Sequence, residues 1–154
     1  MIPLKVIGMG SPFGDDRVGW YVIELLQNVL TPSLQKTLLS CERPGLRLLT
    51  LLKNDKKLIL IDAIKTGAKI GTVHCFKGAA VFAIKPCLST HDLDLAQTLR
   101  LGEALGLLPA ELTLYGIEID VIYFQDFLSL PVKKAAQYLM KLIHRKIIIE
   151  QNMA

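Results

Sequence analysis

Cysteine, aromatic residues and long apolar runs are all scarce in this chain of 154 residues. The three cysteines, Cys41, Cys75 and Cys87, cannot all pair within one chain, and there is no C-x-x-C. That usage excludes a disulfide-stapled secreted domain and argues for a reducing compartment. The ten aromatics are nowhere interleaved with a basic stripe, so a stacking platform for single-stranded nucleic acid is excluded. No apolar run approaches the ~20 residues that span a bilayer. The first residues lack a secretion-signal layout, because Lys5 interrupts the apolar stretch and Gly10-Ser11-Pro12 follows. The expectation is a cytoplasmic protein with no membrane and no nucleic-acid partner.

Charge of one sign is not concentrated either. The net charge is +4 and the pI about 9.0. Basic residues are scattered, apart from Lys56-Lys57, Lys133-Lys134 and Arg145-Lys146, and a balance of this size bears on solubility more than on partners. What is present in quantity is apolar: 51% hydrophobic against 21% charged residues, with no repeat and no linker-like segment. At this length a sizeable core can be buried without staples. One domain over residues 1–154 is expected.

Leu4–Met9 is short, apolar and β-branched, and reads as a buried strand. A turn through Gly10–Gly14 leads to Asp15 and Asp16, placed where helices start. Val18, Val22, Leu25, Leu26 and Val29 then recur at helical spacing to about Leu30. A strand is expected at Leu38–Glu42 and a helix over about 45–53. The continuous apolar run Lys57–Ala63 suits a central parallel strand covered on both faces. Ile70–Phe76 reads as another strand. A loop carrying Pro86, Ser89, Thr90 and His91 precedes a helix over about 93–105. Leu112–Ile119 is a strand, and a last helix follows Pro131 to about His144. The alternation predicts an α/β protein, a three-layer α/β/α sandwich on a mostly parallel sheet.

In such sheets ligands gather beyond the carboxyl ends of the strands, at a switch point in strand order. Asp16 follows the first strand, Asp62 ends the central one, and His91 precedes a helix, so this topology can bring the three to one edge. Gly8-x-Gly10 begins like a dinucleotide fingerprint, but Phe13 stands where the third glycine belongs, and two aspartates at a helix start repel a pyrophosphate. Two carboxylates and an imidazole instead suit a borderline divalent metal such as Ni²⁺ or Zn²⁺. Plainer roles stand beside this one: helix capping for Asp15 and Asp16, satisfaction of turn donors by Asp62, and a cap or surface position for His91. Ser11 forms no G-x-S-x-G elbow. Cys87, four residues before His91, makes a thiolate–imidazole pair conceivable, while Pro86 and apolar neighbours favour a buried thiol. Cys75 and His74 face opposite sides of a strand, and His144 is expected to complement a helix dipole.

The segment Val6-Ile7-Gly8-Met9-Gly10-Ser11-Pro12-Phe13-Gly14-Asp15-Asp16-Arg17-Val18-Gly19 resembles the N-terminal signature of the [NiFe]-hydrogenase maturation proteases. Ile61-Asp62-Ala63 with Gly71-Thr72-Val73, then Ser89-Thr90-His91-Asp92-Leu93, resemble the family's second block and histidine loop. Leu114-Tyr115-Gly116-Ile117-Glu118 and Leu128-Ser129-x-x-Val132 resemble its last strand and final helix start. These blocks run in family order over nearly the whole chain. The resemblance implies an endopeptidase that trims the C-terminal extension of a hydrogenase large-subunit precursor. It also implies recognition of nickel already inserted in that precursor, with Asp16, Asp62 and His91 as metal-contacting and catalytic residues. Ser11 replaces the family's usual Asn, and Arg17 a small residue. A non-catalytic module that binds a nickel-loaded or basic partner through the same edge is the alternative, and a nucleotide-binding domain a third.

Overall fold

A computed structural model describes residues 2–42, 47–52, 56–83, 90–120 and 127–154, with backbone alone for 83 and 90–94. Strand β1 (Leu4–Gly10) leads through a 3-10 turn (Gly14–Arg17) into helix α1 (Val18–Val29). A single turn, α2 (Pro32–Gln35), precedes β2 (Leu38–Glu42), α3 (Arg47–Leu51) and β3 (Lys57–Ile64). Strand β4 (Val73–Lys77) and a 3-10 segment (Gly78–Ala83) come before α4 (Thr90–Ala104), β5 (Glu111–Glu118) and α5 (Leu130–Met153). The strands form one sheet in the order β2-β1-β3-β5-β4. All neighbours are parallel except β4, which runs antiparallel along the edge.

Strand β3 is central because its side chains are apolar on both faces. Ile59, Ile61 and Ala63 join the core beneath α1 and α5, with Val22, Leu26, Leu139 and Ile143. Leu58 and Leu60 point the other way, into a second core with Leu48, Leu52 and Leu99 of the opposite layer. Each such valine, leucine or isoleucine contributes about 1.5–3 kcal/mol by leaving water. The three-layer α/β/α sandwich expected from the alternation is therefore present. The chain steps from β1 outward to β2 and then back across to β3, so the switch point lies between β1 and β3.

Several boundaries differ from expectation, each for a local reason. Strand β4 begins at Val73 instead of Ile70, because Gly71 turns at φ +88 and donates its N–H to the Glu118 carbonyl at 2.9 Å. Helix α4 starts at Thr90, so His91 belongs to its first turn and not to a preceding loop. Helix α5 runs nine residues past His144, since Ile147 continues the buried stripe of Leu139 and Ile143, and Glu150 pairs with Lys57 of β3. His144 is thus mid-helix, too far from the end to complement a dipole. In α1 the buried stripe is Val18, Val22, Ile23 and Leu26, and Val29 is exposed. Cys87 and the rest of 84–89 lie outside the described residues.

Candidate active site

Two glycines set how closely α1 approaches the sheet. A Cβ on Gly8 would collide with the Gly19 carbonyl, and one on Gly19 would meet the carbonyls of Met9 and Ile61, the latter at 2.8 Å. The first turn of α1 therefore rests on the junction of β1 and β3, at the switch point. The turn before it is held just as tightly. Gly14 adopts φ +51 to begin the 3-10 turn. Asp16 N–H donates to the Phe13 carbonyl at 3.1 Å, and Ser11 N–H donates to the Asp16 carbonyl at 3.3 Å. A Cβ on Gly10 would lie 2.5 Å from that same carbonyl oxygen, so the loop folds back over the end of β1. Asp16 is left 4% exposed beside the carboxyl edge of the sheet.

Asp62 approaches from the neighbouring strand. It sits in register with Gly116 of β5, is 8% exposed, and its Oδ1 accepts the Ala63 N–H at 2.8 Å. That donor lies within β3, not in the turn after it, so this bond is not the turn contact considered for Asp62. Its carboxylate borders a narrow, mostly apolar cleft of about 20 Å³, lined by Val81, Leu95, Leu99, Leu114 and Gly116. This space holds about one water. Helix α4 thus covers Asp62, and His91 lies one helical turn before Leu95 on the same helix. The His91 side chain is outside the described residues. Among the described residues no three His, Cys, Asp or Glu side chains gather as a metal site. The structure brings Asp16 and Asp62 to one edge, and it places the backbone of His91 on the helix above that edge.

The paired acids part company. The Asp15 carboxylate accepts the Ser129 N–H and the Ser129 hydroxyl, both at 2.7 Å. Ser129 is the N-cap residue of α5. Asp15 does serve a helix start, but that of α5, 114 residues away.

A second acidic cluster lies at the same end of β5. Glu118, 1% exposed, accepts the Thr66 N–H at 2.7 Å and the Thr66 hydroxyl at 2.6 Å, and its Oε1 lies 2.9 Å from His74 Nε2. Burial pushes this carboxyl up. The bonds from Thr66, His74 and the Gly67 backbone outweigh it and hold Glu118 below the ordinary value of 4.5. The sequence places His74 and Glu118 on two separate strands and gives no order that would join them. Helix α4 separates the two strands in the chain, and only the antiparallel register of β4 on β5 brings the two side chains together. Elsewhere, burial pushes the Cys41 thiol up against the opposing pull of Arg47, so it is no ready nucleophile.

The family model for hydrogenase maturation proteases of the HycI type matches residues 20–146. The chain belongs to this family. It is an endopeptidase of the hydrogenase-maturation type, not a bare binding module. Its fold is similar to that of the maturating endopeptidase HybD from E. coli, at 24% identity and TM-score 0.79, covering 91% of this chain and 88% of that one. It is also similar to the [NiFe] hydrogenase maturation protease HybD from Thermococcus kodakarensis, at 23% identity and TM-score 0.75, covering 94% and 98%. HycI from the same organism matches at 23% identity and TM-score 0.68, over 94% and 91%. Among curated proteins no relative matches. In this maturation protease no helix among the described residues is long and apolar enough to cross a membrane.

Proposed function

We propose that this protease acts in the cytoplasm on the precursor of a [NiFe]-hydrogenase large subunit that already carries nickel, and removes its C-terminal extension. The observation that carries this reading is the pair of buried carboxylates, Asp16 and Asp62, at the β1/β3 switch point. Hard oxygen donors from these two residues, with an imidazole from His91, form the mixed set that suits a nickel ion borne by the substrate. Nickel belongs here to the substrate and not to the resting enzyme. Docked there, the scissile peptide lies against two groups able to take a proton from the attacking water and return it to the departing amine.

The test is cleavage of a purified, nickel-loaded precursor, followed by mass spectrometry of the product. Asp16→Asn, Asp62→Asn and His91→Ala should each lower the rate by roughly 10²-fold or more, the range of a lost acid–base or ligand group, with unchanged circular dichroism. Full activity of His91→Ala would sink the three-residue scheme.

A further inference from the structure

Asp62 performs its proposed role only if the end of β3 is held still, and the structure shows what holds it. The Asp62 carboxylate is tied to the Ala63 N–H, so its aim follows the backbone at the strand exit. That exit is fixed at three successive points by β5. Ile64 lies over Gly116, where a Cβ would come within 2.8 Å of Ile64 Cγ2. The Ile64 carbonyl accepts the Ile119 N–H at 2.9 Å. The carboxylate of Glu118 then takes both donors of Thr66.

Glu118 is also bound to the far side of the same turn. Its N–H donates to the Thr72 carbonyl at 2.8 Å, and its carbonyl accepts from Gly71. The His74 ring on β4 closes the set at Oε1. One buried carboxylate thus links the exit of β3, the turn that follows and the entry of β4. By register, His74 and Asp62 both lie opposite Gly116, in one row across β4, β5 and β3. Strand side chains alternate, so Asp62, Gly116, Glu118 and His74 share the face covered by α4.

We propose that Glu118 is a positioning residue of the cleavage reaction, clamping the Thr66 turn and His74 so that the segment carrying Asp62 keeps its reactive geometry. The proposal rests on the role given to Asp62. It is separable from a purely structural role, because a misplacement of the order of 1 Å costs turnover while leaving the fold and the docking of a large substrate intact.

The experiment measures kcat and KM on the nickel-loaded precursor, with melting temperature, for wild type, Asp62→Asn, Glu118→Gln, Thr66→Val, His74→Gln and His74→Leu. Glu118→Gln keeps the shape but turns an amide toward donors. Thr66→Val removes one donor from an exposed turn and keeps folding secure. Expected are a roughly tenfold or larger fall in kcat for Glu118→Gln, a smaller fall for Thr66→Val, and KM within about twofold in both. His74→Gln, whose amide N–H replaces the imidazole donor, should retain more kcat than His74→Leu. Wild-type kcat in Glu118→Gln and Thr66→Val, alongside an inactive Asp62→Asn, would overturn the clamp and leave the protease scheme standing. An active Asp62→Asn would instead overturn the scheme on which the clamp depends.

Discussion

Two adjacent aspartates with nearly the same local sequence do different work, and the difference is decided by what lies opposite each. Asp15 meets the N-cap of α5, whereas Asp16 is buried in the turn that folds back over the end of β1. Asp15→Ala strands a backbone N–H and a hydroxyl, a loss of about 1–3 kcal/mol. Thermal unfolding should show a melting temperature lower by roughly 2–12 °C for a protein of this size. Asp16→Asn should remove cleavage, read by mass spectrometry of the precursor, whereas folded Asp15→Ala should still cleave. Cleavage retained in Asp16→Asn would refute the division. Glu118 supplies a prediction of its own. Its pKa is held below the ordinary 4.5 in the fold, so the stability it confers is fully present above the unfolded value and is lost as pH falls through the folded value. Denaturant melts between pH 7 and pH 3, a range chosen to span about 4.5, should show wild type losing more stability than Glu118→Gln. Parallel curves would count against the buried carboxylate being ionised.

At the scale of elements, the tightest constraint is the contact between α1 and the sheet. Gly19→Ala forces a methyl into the Met9 and Ile61 carbonyls. Neither backbone can yield without shifting β1 from β3. A loss in the ~1–3 kcal/mol range of overpacked sites is expected, with activity falling as the Asp16 loop moves, and calorimetry beside the cleavage assay reads both. Ile147→Ala, in the part of α5 beyond His144, should cost about 2–5 kcal/mol as a core deletion and leave kcat of the folded protein unchanged. The contrast between these two bears on what the sequence made visible. Strand β3 was legible because its continuous apolar run is hard to mistake, β1, β2 and β5 were placed to within one residue beside it, and Asp16 and Asp62 followed from the topology those strands imply. The far end of α5 was not, because its polar Arg145-Lys146 pair hides a stripe that Ile147 continues. The split of Asp15 from Asp16 was equally hidden, since it depends on Ser129, far away in the chain. The Glu118–His74 contact is invisible for the same reason: strand register, and not spacing, creates it. Of the proposed triad, the two acids are placed at one edge, and for His91 only the helix that carries it.

For the molecule as a whole, both faces of the sheet are sealed by helices, and the chemistry is left to one rim. Selectivity must then come from the substrate's own charge and shape at that rim. A precursor without nickel should therefore be cleaved far more slowly than the loaded form, by roughly the 10²-fold attached to a lost ligand group above. Mixing both forms with the enzyme and following the extension by mass spectrometry tests this. Equal rates would show that the metal is not what the carboxylates recognise.

The bond between Asp15 and Ser129 also ties together two parts of the chain that lie 114 residues apart. The turn that carries Asp16 and the first turn of α5 share these contacts, so loosening one frees a partner of the other. A disturbance at the start of α5 is thereby felt at the loop before α1.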